Sequence, residues 1–391
     1  MLDRSMQASP ADTRFVCVDC FGDQDLKRVV KRYSEKGRCA FCRSRKVAVM
    51  PVWAMADYLE GIIRRNFAEA VNELPFDSGE GGYQGSSTSN TWEALIEDIG
   101  LPLRGPGEQE LGEAIAEAIG GETWCSPNWT TLDPDESLRL SWEEFCNTVK
   151  HQRRYFFQNY GKSSHNDPDD RSPAEFLEEL TSLIGLEKLV KSIPAGLKLY
   201  RARPRKRGTR YTEAADLGPP PADKAMQSNR MNPPGIPMLY GADTKDLALA
   251  EVRKRRTSVG RFETTRAIHL LDLSKLPPIP GFFGRCSRSR RLKLAFLHDF
   301  TRDIVKPVPR DDRVHVDYLP TQVFTEYLRD IEFGSVKLDG IRYPSATGSA
   351  GTNVVLFANR GDVVGVPPDD YGMFTRSSTP WLELTKVWHR K

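Results

Sequence analysis

The chain has 391 residues, of which 39% are hydrophobic and 28% charged, and its formal net charge is +3. This length and composition are typical of a globular protein with two or three domains. The positive balance is too mild to favour nucleic acid by itself, and no apolar run approaches the roughly 20 residues that a membrane helix needs. The opening residues also lack the apolar core of a secretory signal. We therefore expect a cytoplasmic protein.

The first motif consists of four of the seven cysteines. Two C-x2-C pairs, Cys17 with Cys20 and Cys39 with Cys42, are separated by 18 residues. This spacing is typical of a tetrathiolate zinc site, and the metal supplies stability that a small module does not obtain from its own core. The pattern predicts a structural zinc module over residues 1–50. Four ordinary buried cysteines are the alternative.

Residues 51–165 are predicted to form a mostly helical region. Apolar spacing predicts a helix over Met55–Leu74 with Val71 facing inward, and another over Ser141–Phe157 with Phe156 facing inward. Between them, Ser78–Asn90 has the glycine- and serine-rich composition of a flexible loop.

A polar segment, Gly161–Ser172, is the predicted linker between the two halves of the chain. Pro173–Leu186 follows as an amphipathic helix, with Ser172 and Glu175 in a capping-box pattern. The second domain is predicted over residues 190–391.

The second half mixes strands and helices without an alternating βαβ repeat, which favours an α+β fold. It also lacks a glycine-rich phosphate-binding loop, so a nucleotide would be held in another way. The predicted strands are Gly196–Arg203, Ile236–Ala242, Arg266–Leu273, Asn353–Ala358 and Asp362–Val366, and the predicted helices are Arg290–Val305 and Thr321–Arg329. His389 is predicted to lie in a tail.

The stretch from Arg230 to Glu251 gives the first indication of a site. A Pro-Pro-Gly turn is followed by a short apolar strand and then by a helix for which Thr244 is the predicted N-cap. Glu251 follows Leu247 by four residues, so it shares the apolar face of this helix. A carboxylate on such a face costs free energy unless another group pairs with it.

Several motifs in this half resemble, in the same order, those of the RES domain, a family named for a spaced arginine, glutamate and serine. They are LYRAR, RMNPPGIPMLYGA, LALAE, YLPTQ and DGIRYPSATGSAGTNVVLF, and they extend over Leu197–Val366. The zinc module and helical region before them, including the segment VCVDCFGD, resemble the HEPN/RES N-terminal domain that often precedes RES domains.

The resemblance implies a mostly helical N-terminal region with a four-cysteine zinc module and an ADP-ribosyltransferase-like mixed α/β domain. It implies a bacterial toxin-like enzyme that cleaves the nicotinamide–ribose bond of NAD, as an NAD phosphorylase or glycohydrolase, and depletes cellular NAD. A mono-ADP-ribosyltransferase acting on a protein and a nucleic-acid-binding zinc-ribbon protein are the alternatives. NAD is the expected partner, and an antitoxin or immunity protein and a homo-oligomer are further candidates. We expect neither a membrane nor a nucleic acid as partner.

Matching the family motifs residue by residue assigns Arg201, Glu251 and Ser345 to catalysis and all five matched residues to NAD binding: Arg201, Arg230, Tyr240, Glu251 and Ser345. These residue types suit the chemistry. A carboxylate stabilises a positively charged ribose, arginine forks bind a pyrophosphate, and a tyrosine offers nicotinamide a flat surface.

Ordinary structural roles are the alternative for each of these residues. Arg201 would be part of a solvated basic strand end, Arg230 would pair with a structural carboxylate, and Tyr240 would lie in the core. Glu251 would form a salt bridge with the arginines that follow it. One departure from the family is Ala202, which stands where some members carry an aromatic residue.

Overall fold

The computed structural model describes residues 13–157, 169, 171–308, 313–346, 351–369 and 379–390. The chain divides into two compact units, residues 1–134 with 278–292, and residues 135–277 with 293–391. The predicted linker Gly161–Ser172 lies largely outside the described residues, so the domain boundaries proposed from the sequence stay predictions. Among the described residues, no helix has both the length and the apolar character needed to cross a membrane.

The first unit combines short helices with small antiparallel sheets, ordered β1-β3-β2, β4-β8-β7 and β5-β6. In chain order its elements are β1 (Phe15–Cys17), α1 (Gln24–Arg32), β2 (Glu35–Arg38), β3 (Arg45–Pro51), α2 (Val52–Asn66), β4 (Ala68–Glu69), α3 (Ala70–Glu73), β5 (Phe76–Asp77), β6 (Gly82–Tyr83), β7 (Thr88–Asn90), α4 (Thr91–Glu93), α5 (Glu108–Ile119) and β8 (Thr123–Cys125).

Two predictions for this unit are wrong in part. The helix expected to reach Leu74 ends at Asn66, because Phe67 turns to an extended conformation, and Val71 is 68% exposed instead of buried. The segment Ser78–Asn90 contains the short strands β6 and β7, so it is not an unstructured loop. In both places hydrogen bonding between short strands overrides the local sequence signal, which was apolar spacing in the first case and composition in the second.

The second unit contains one large sheet, with helices α6 and α10 carrying residues of both units. In chain order the elements are α6 (Pro134–Asn147), α7 (Pro173–Leu186), β9 (Val190–Ile193), β10 (Lys198–Pro204), α8 (Ala214–Leu217), β11 (Leu239–Ala242), α9 (Lys245–Val252), β12 (Thr257–Thr264), β13 (Ile268–Asp272), α10 (Arg288–Val305), α11 (Val314–Asp317), α12 (Leu319–Asp330), β14 (Glu332–Phe333), β15 (Val336–Lys337), β16 (Gly340–Pro344), β17 (Thr352–Leu356) and β18 (Leu382–Arg390).

The eight strands of the large sheet follow the order β18-β12-β10-β11-β17-β16-β13-β9. All the neighbouring pairs are antiparallel except β13 with β16. Strand alternation divides the apolar residues between two cores. Val355 of β17 packs into one with Phe176, Phe300 and Phe324, and its neighbours Val354 and Leu356 pack into the other. The fold is α+β, as predicted.

Helix α7 confirms its predicted cap, because the Ser172 backbone N–H donates to Glu175 and the Glu175 N–H donates to Ser172 Oγ. The helix predicted to end at Phe157 ends sooner. It starts at Pro134, passes into a π-helical turn over Thr148–Gln152, and leaves Phe156 88% exposed.

Two further predictions, both for the C-terminal part of the chain, are wrong. Asp362–Val366 is not a strand, because Asp362 closes a short 3-10 turn and accepts a hydrogen bond from the Trp381 indole. His389 lies in β18, not in a tail, and its Nδ1 is 2.9 Å from Ser258 Oγ.

Candidate active site

Helix α9 places Glu251 beside the middle of the large sheet. The Thr244 hydroxyl caps the helix by accepting a hydrogen bond from the Leu247 N–H, as predicted. Leu247 and Ala248 pack against Ala242 of β11. Glu251 therefore lies in the last turn of a helix that is anchored to the sheet by its apolar residues.

Two neutral donors hold the Glu251 carboxylate. Ser345 Oγ donates to Glu251 Oε1 over 2.8 Å, and Asn353 Nδ2 donates to the same oxygen over 2.7 Å. Among the described residues, Glu251 has no ion pair and its second oxygen, Oε2, receives no hydrogen bond. The carboxylate is thus oriented without losing its charge to a cation.

The sheet register explains why these residues meet. Asn353 of β17 pairs with Ala242 of β11 on one side and with Tyr343 of β16 on the other. Residues that pair directly across antiparallel strands project to the same face, which here is the face that α9 covers. Ser345 follows directly after β16, so it enters the site from the end of the neighbouring strand.

Sequence reasoning missed Asn353. A signal for it was present, because Asn353 is a polar residue next to the apolar run Val354–Leu356 in a strand that is otherwise buried. A buried amide needs hydrogen-bond partners. Asn353 has no named role in the arginine, glutamate and serine pattern, so no function was assigned to it.

Arg201 carries an unsatisfied buried nitrogen. Its Nη1 is buried and has no hydrogen-bond partner among the described residues. Burial lowers the pKa of the Arg201 guanidinium to about 10, and repulsion from Arg203 contributes to the lowering. The group remains charged at neutral pH, and its buried nitrogen has no anionic partner among the described residues. This is not the solvated strand end of the alternative interpretation.

Arg230 has a structural role that its motif did not reveal. Its Nη1 donates to the carbonyl oxygens of Ile304, over 2.5 Å, and Lys306, over 2.8 Å, at the end of helix α10. The guanidinium also lies 5.6 Å from the ring centre of Tyr318. Cations at a helix C-terminus compensate the unpaired carbonyls and the helix dipole. Arg230 pairs with carbonyls here, not with the structural carboxylate of the alternative.

Two buried tyrosines interact electrostatically with these charged groups. The Tyr240 hydroxyl donates to Asn232 Oδ1 over 2.7 Å and accepts from the Met231 N–H over 3.1 Å. Burial raises the pKa of Tyr240 and of Tyr343. The charge of Arg230 opposes the shift in the pKa of Tyr343, whereas Glu251 adds to it. Both phenols therefore stay protonated and neutral near pH 7.

The YLPTQ motif fixes the turn that precedes Tyr240. Gln322 Nε2 donates to the carbonyl oxygens of Asn229, over 2.7 Å, and Asn232, over 3.1 Å, and to Ser228 Oγ over 2.9 Å. Gln322 is almost fully buried. A single amide from helix α12 thus binds three residues of the loop that carries Arg230 and precedes Tyr240.

The five residues predicted from the family motifs do not all contact one another. Glu251 and Ser345 are in direct contact. Arg201 acts electrostatically on Tyr240, and Arg230 acts on both Tyr240 and Tyr343. Among the described residues, Arg201 forms no hydrogen bond or ion pair with the other four.

The four cysteines form a second candidate site, in the first unit. Their Sγ atoms all lie within 4.8 Å of one another, with separations of 3.7 Å for Cys17 and Cys20, 3.4 Å for Cys17 and Cys42, and 3.6 Å for Cys20 and Cys39. A tetrahedral ion with metal–sulfur bonds of about 2.3 Å separates its ligands by about 3.8 Å. The cluster therefore fits one metal ion.

The surroundings of the cluster support this assignment. Cys17 ends β1, while Cys39 and Cys42 lie in the turn between β2 and β3, where the Cys39 N–H donates to the Ser44 carbonyl over 2.9 Å. Contacts with Cys17 and Cys39, together with burial, raise the pKa of the Cys20 thiol. A cation would supply the charge that thiolates in this position need.

The second unit thus combines an α+β sheet with a glutamate that has no ion pair and an arginine whose buried nitrogen has no partner among the described residues, together with two buried, neutral tyrosines. Comparison with protein-family models matches residues 198–377 to the RES domain and residues 32–163 to HEPN/RES N-terminal domain 1. The chain therefore carries a RES domain preceded by that N-terminal domain, as its motifs predicted. RES domains form a toxin–antitoxin-associated enzyme family related to NAD. No curated protein and no solved structure matches the chain.

Proposed function

We propose that this RES-domain protein cleaves the nicotinamide–ribose bond of NAD and thereby depletes cellular NAD. The observation that carries the proposal is the state of Glu251. Its Oε1 is held by Ser345 and Asn353, and its Oε2 is without a donor among the described residues. An oriented carboxylate without a cationic partner suits a reaction that generates positive charge.

The negative charge of Glu251 has a role in the proposed reaction. When the bond breaks, its electron pair leaves with the nicotinamide nitrogen, and positive charge develops over the ribose C1′ and ring oxygen. Glu251 would stabilise this charge electrostatically. An arginine paired with Glu251 would cancel the effect, and the absence of such a pair among the described residues favours catalysis over the salt-bridge alternative.

Arg201 supports the binding of the pyrophosphate. A buried guanidinium nitrogen without a partner is costly, and a phosphate oxygen would satisfy it with a charge-assisted hydrogen bond. Tyr240 is held rigidly by its hydroxyl, so it would offer a fixed aromatic surface to nicotinamide. Arg230 would act mainly by holding helix α10 and the Tyr240 loop in place.

We propose phosphate or water as the acceptor of ADP-ribose, giving a phosphorylated ADP-ribose in the first case and ADP-ribose and a proton in the second. We further propose zinc as the metal of the cysteine cluster, because four thiolates and no open ligand position are typical of structural zinc. A cognate antitoxin or immunity protein in the cytoplasm would restrain the enzyme, as its family context supports.

The test uses the purified full-length protein and follows NAD and its products by proton NMR, with and without inorganic phosphate. We expect stoichiometric release of nicotinamide, and a phosphate-dependent product if phosphorolysis occurs. Arg201→Ala should lose turnover, whereas Arg302→Ala, which removes an exposed arginine paired with Asp299, should keep it. Unchanged NAD in both buffers, or full activity of Arg201→Ala, would overturn the proposal. Label transfer from NAD to a protein would support the ADP-ribosyltransferase alternative.

A further inference from the structure

A group of cations, most of them exposed, lies where β10 ends, β12 begins and β18 ends. Two segments contribute most of them: Arg205, Lys206, Arg207 and Arg210 after β10, and Arg253, Lys254, Arg255 and Arg256 after α9. Lys245 and Arg390 complete the group, which we call the basic patch.

Hydrogen bonds hold the segments of the basic patch together. The Arg205 N–H donates to the Arg256 carbonyl, Arg205 Nη1 to the Thr209 carbonyl and Arg205 Nη2 to the Arg390 carbonyl, each over 3.0 Å. The Arg205 guanidinium therefore connects the loop after β10 to the end of β18. Its Nε is buried and has no partner among the described residues.

Lys245 also contacts the protein, since its Nζ lies 5.6 Å from the ring centre of Trp388, whereas the remaining cations of the patch are exposed. Among the described residues, none of them forms an ion pair. A cavity of about 630 Å³ is lined by Lys245, Arg253, Lys254, Arg255 and Arg390, and Asp246 is the one carboxylate in its wall. The net charge of the whole chain is only +3, but positive charge is concentrated in the basic patch.

The backbone of Arg253 has a conformation that is unusual for arginine. It takes the left-handed conformation that ends α9, with φ 54° and ψ 29°. Glycine usually occupies this position, because a side chain there is disfavoured by steric contact. An exposed arginine at this position adds charge to the patch at a cost in conformational energy.

The composition of the basic patch favours a nucleic acid over a protein as its partner. Among the described residues, none of the large apolar side chains that are exposed lies in the segments of the basic patch. Protein interfaces generally need an apolar or aromatic centre with few charged residues. Nucleic-acid interfaces are polar and strongly positive, and arginine forks match phosphate oxygens.

We propose that the basic patch binds the phosphate backbone of a nucleic acid without reading its base sequence. Contacts with phosphate fix position but carry no sequence information. The site is distinct from the Glu251 site and does not depend on NAD cleavage. The proposal departs from the expectation that nucleic acid is not a partner, and the mild net charge does not oppose it, since net charge does not report how cations are distributed.

The test measures the anisotropy of two fluorescein-labelled single-stranded RNA 20-mers of unrelated sequence, titrated with metal-loaded full-length protein at several KCl concentrations. We expect similar affinities for both and a log–log salt slope of about −0.7 for each phosphate neutralised. Arg253→Glu/Lys254→Glu/Arg255→Glu should weaken binding at least tenfold and reduce the magnitude of the slope by about 2. Arg207→Glu/Arg210→Glu, on the other loop, should also weaken binding, independently of the α9 cap.

The matched control is Lys191→Glu/Lys275→Glu/Lys337→Glu, which changes net charge equally on exposed residues outside the patch. Lys191 lies in β9, at the opposite edge of the large sheet from β18, Lys275 follows β13 and Lys337 lies in the separate β14-β15 sheet. This control should bind RNA like the wild type. Equal weakening by the two triple variants would overturn the proposal, because binding would then follow total charge. Displacement of RNA by poly-glutamate at equal charge concentration would also overturn it, in favour of an acidic protein segment.

Discussion

The Asn353 amide donates a 2.7 Å hydrogen bond to Glu251 Oε1, although 102 positions separate the two residues in the chain. Ser345 donates to the same oxygen. Two neutral donors converge on one carboxylate oxygen, so the carboxylate is fixed in orientation while its negative charge remains available. The proposed stabilisation of a ribose cation requires a carboxylate of this kind, which is oriented but not neutralised.

Asn353→Ala should reduce NAD turnover by about 10- to 100-fold, because a hydrogen bond to a charged group contributes about 1.5 to 3 kcal/mol. Initial rates of nicotinamide release give the result. Ser345→Ala should have a similar effect, and the double variant should lose less than the two single losses added together, since both donors hold one oxygen. A folded Asn353→Ala protein with wild-type kcat would show that this contact does not serve catalysis.

Arg201→Met should abolish NAD turnover and at the same time raise the thermal midpoint of the second unit. Burial holds the pKa of Arg201 at about 10, below its ordinary value, so the charged form is penalised in the folded state throughout the neutral range. Removing an unpaired buried charge should stabilise the fold by about 1 to 3 kcal/mol. Differential scanning calorimetry without NAD measures the change. A lowered midpoint would mean that the guanidinium already has a stabilising partner.

Gln322→Met should destabilise the second unit by about 1 to 3 kcal/mol, because the change leaves buried carbonyl oxygens without a donor at nearly constant side-chain volume. Urea unfolding monitored by tryptophan fluorescence measures this, and KM for NAD should rise as the Tyr240 loop loosens. Gln227→Met is the matched control, since Gln227 is exposed in the same loop and its side chain forms no hydrogen bond with any residue that the structure describes. Equal effects of the two changes would argue against the role of Gln322.

Metal removal should unfold the cysteine module without affecting the sheet of the second unit. We expect one zinc ion per chain by elemental analysis, and loss of the ion in Cys39→Ser together with a lower thermal midpoint, because a structural metal contributes directly to folding. Cys286→Ser, which changes a half-buried cysteine outside the cluster, should retain the metal. Full metal content in Cys39→Ser would show that the four thiols do not form the site.

The sequence predicted the elements whose signals are local. Helix α7 carries its own capping box, α9 its threonine cap, and the cysteine pairs their metal-site spacing. The prediction failed where tertiary pairing decides the structure. Strand β12 contains Gly260 and Arg261 in place of a clear alternation, and it forms because β10 and β18 pair with it on both sides. Phe156 fitted a helical period that the π-helical turn before it interrupts.

The site was predictable to the extent that family motifs mark it. Those motifs identify Glu251 and Ser345, which do meet, but they do not show that Arg230 donates its hydrogen bonds to the end of α10. The role of Asn353 depends on the register of β17 between β11 and β16, which no local pattern encodes. The basic patch was missed for a related reason, since its two loops join only when the strands pair.

The most direct measurement compares the rate of NAD consumption by the wild type, Glu251→Gln and the exposed-carboxylate control Glu383→Gln, each shown to be folded by circular dichroism. Glutamine retains the size and hydrogen-bonding capacity of Glu251 but removes its charge. We expect Glu251→Gln to lose at least about 1000-fold in kcat, about 4 kcal/mol of transition-state stabilisation, while Glu383→Gln matches the wild type. Equal NAD consumption by all three proteins would contradict the assignment of Glu251 to the reaction.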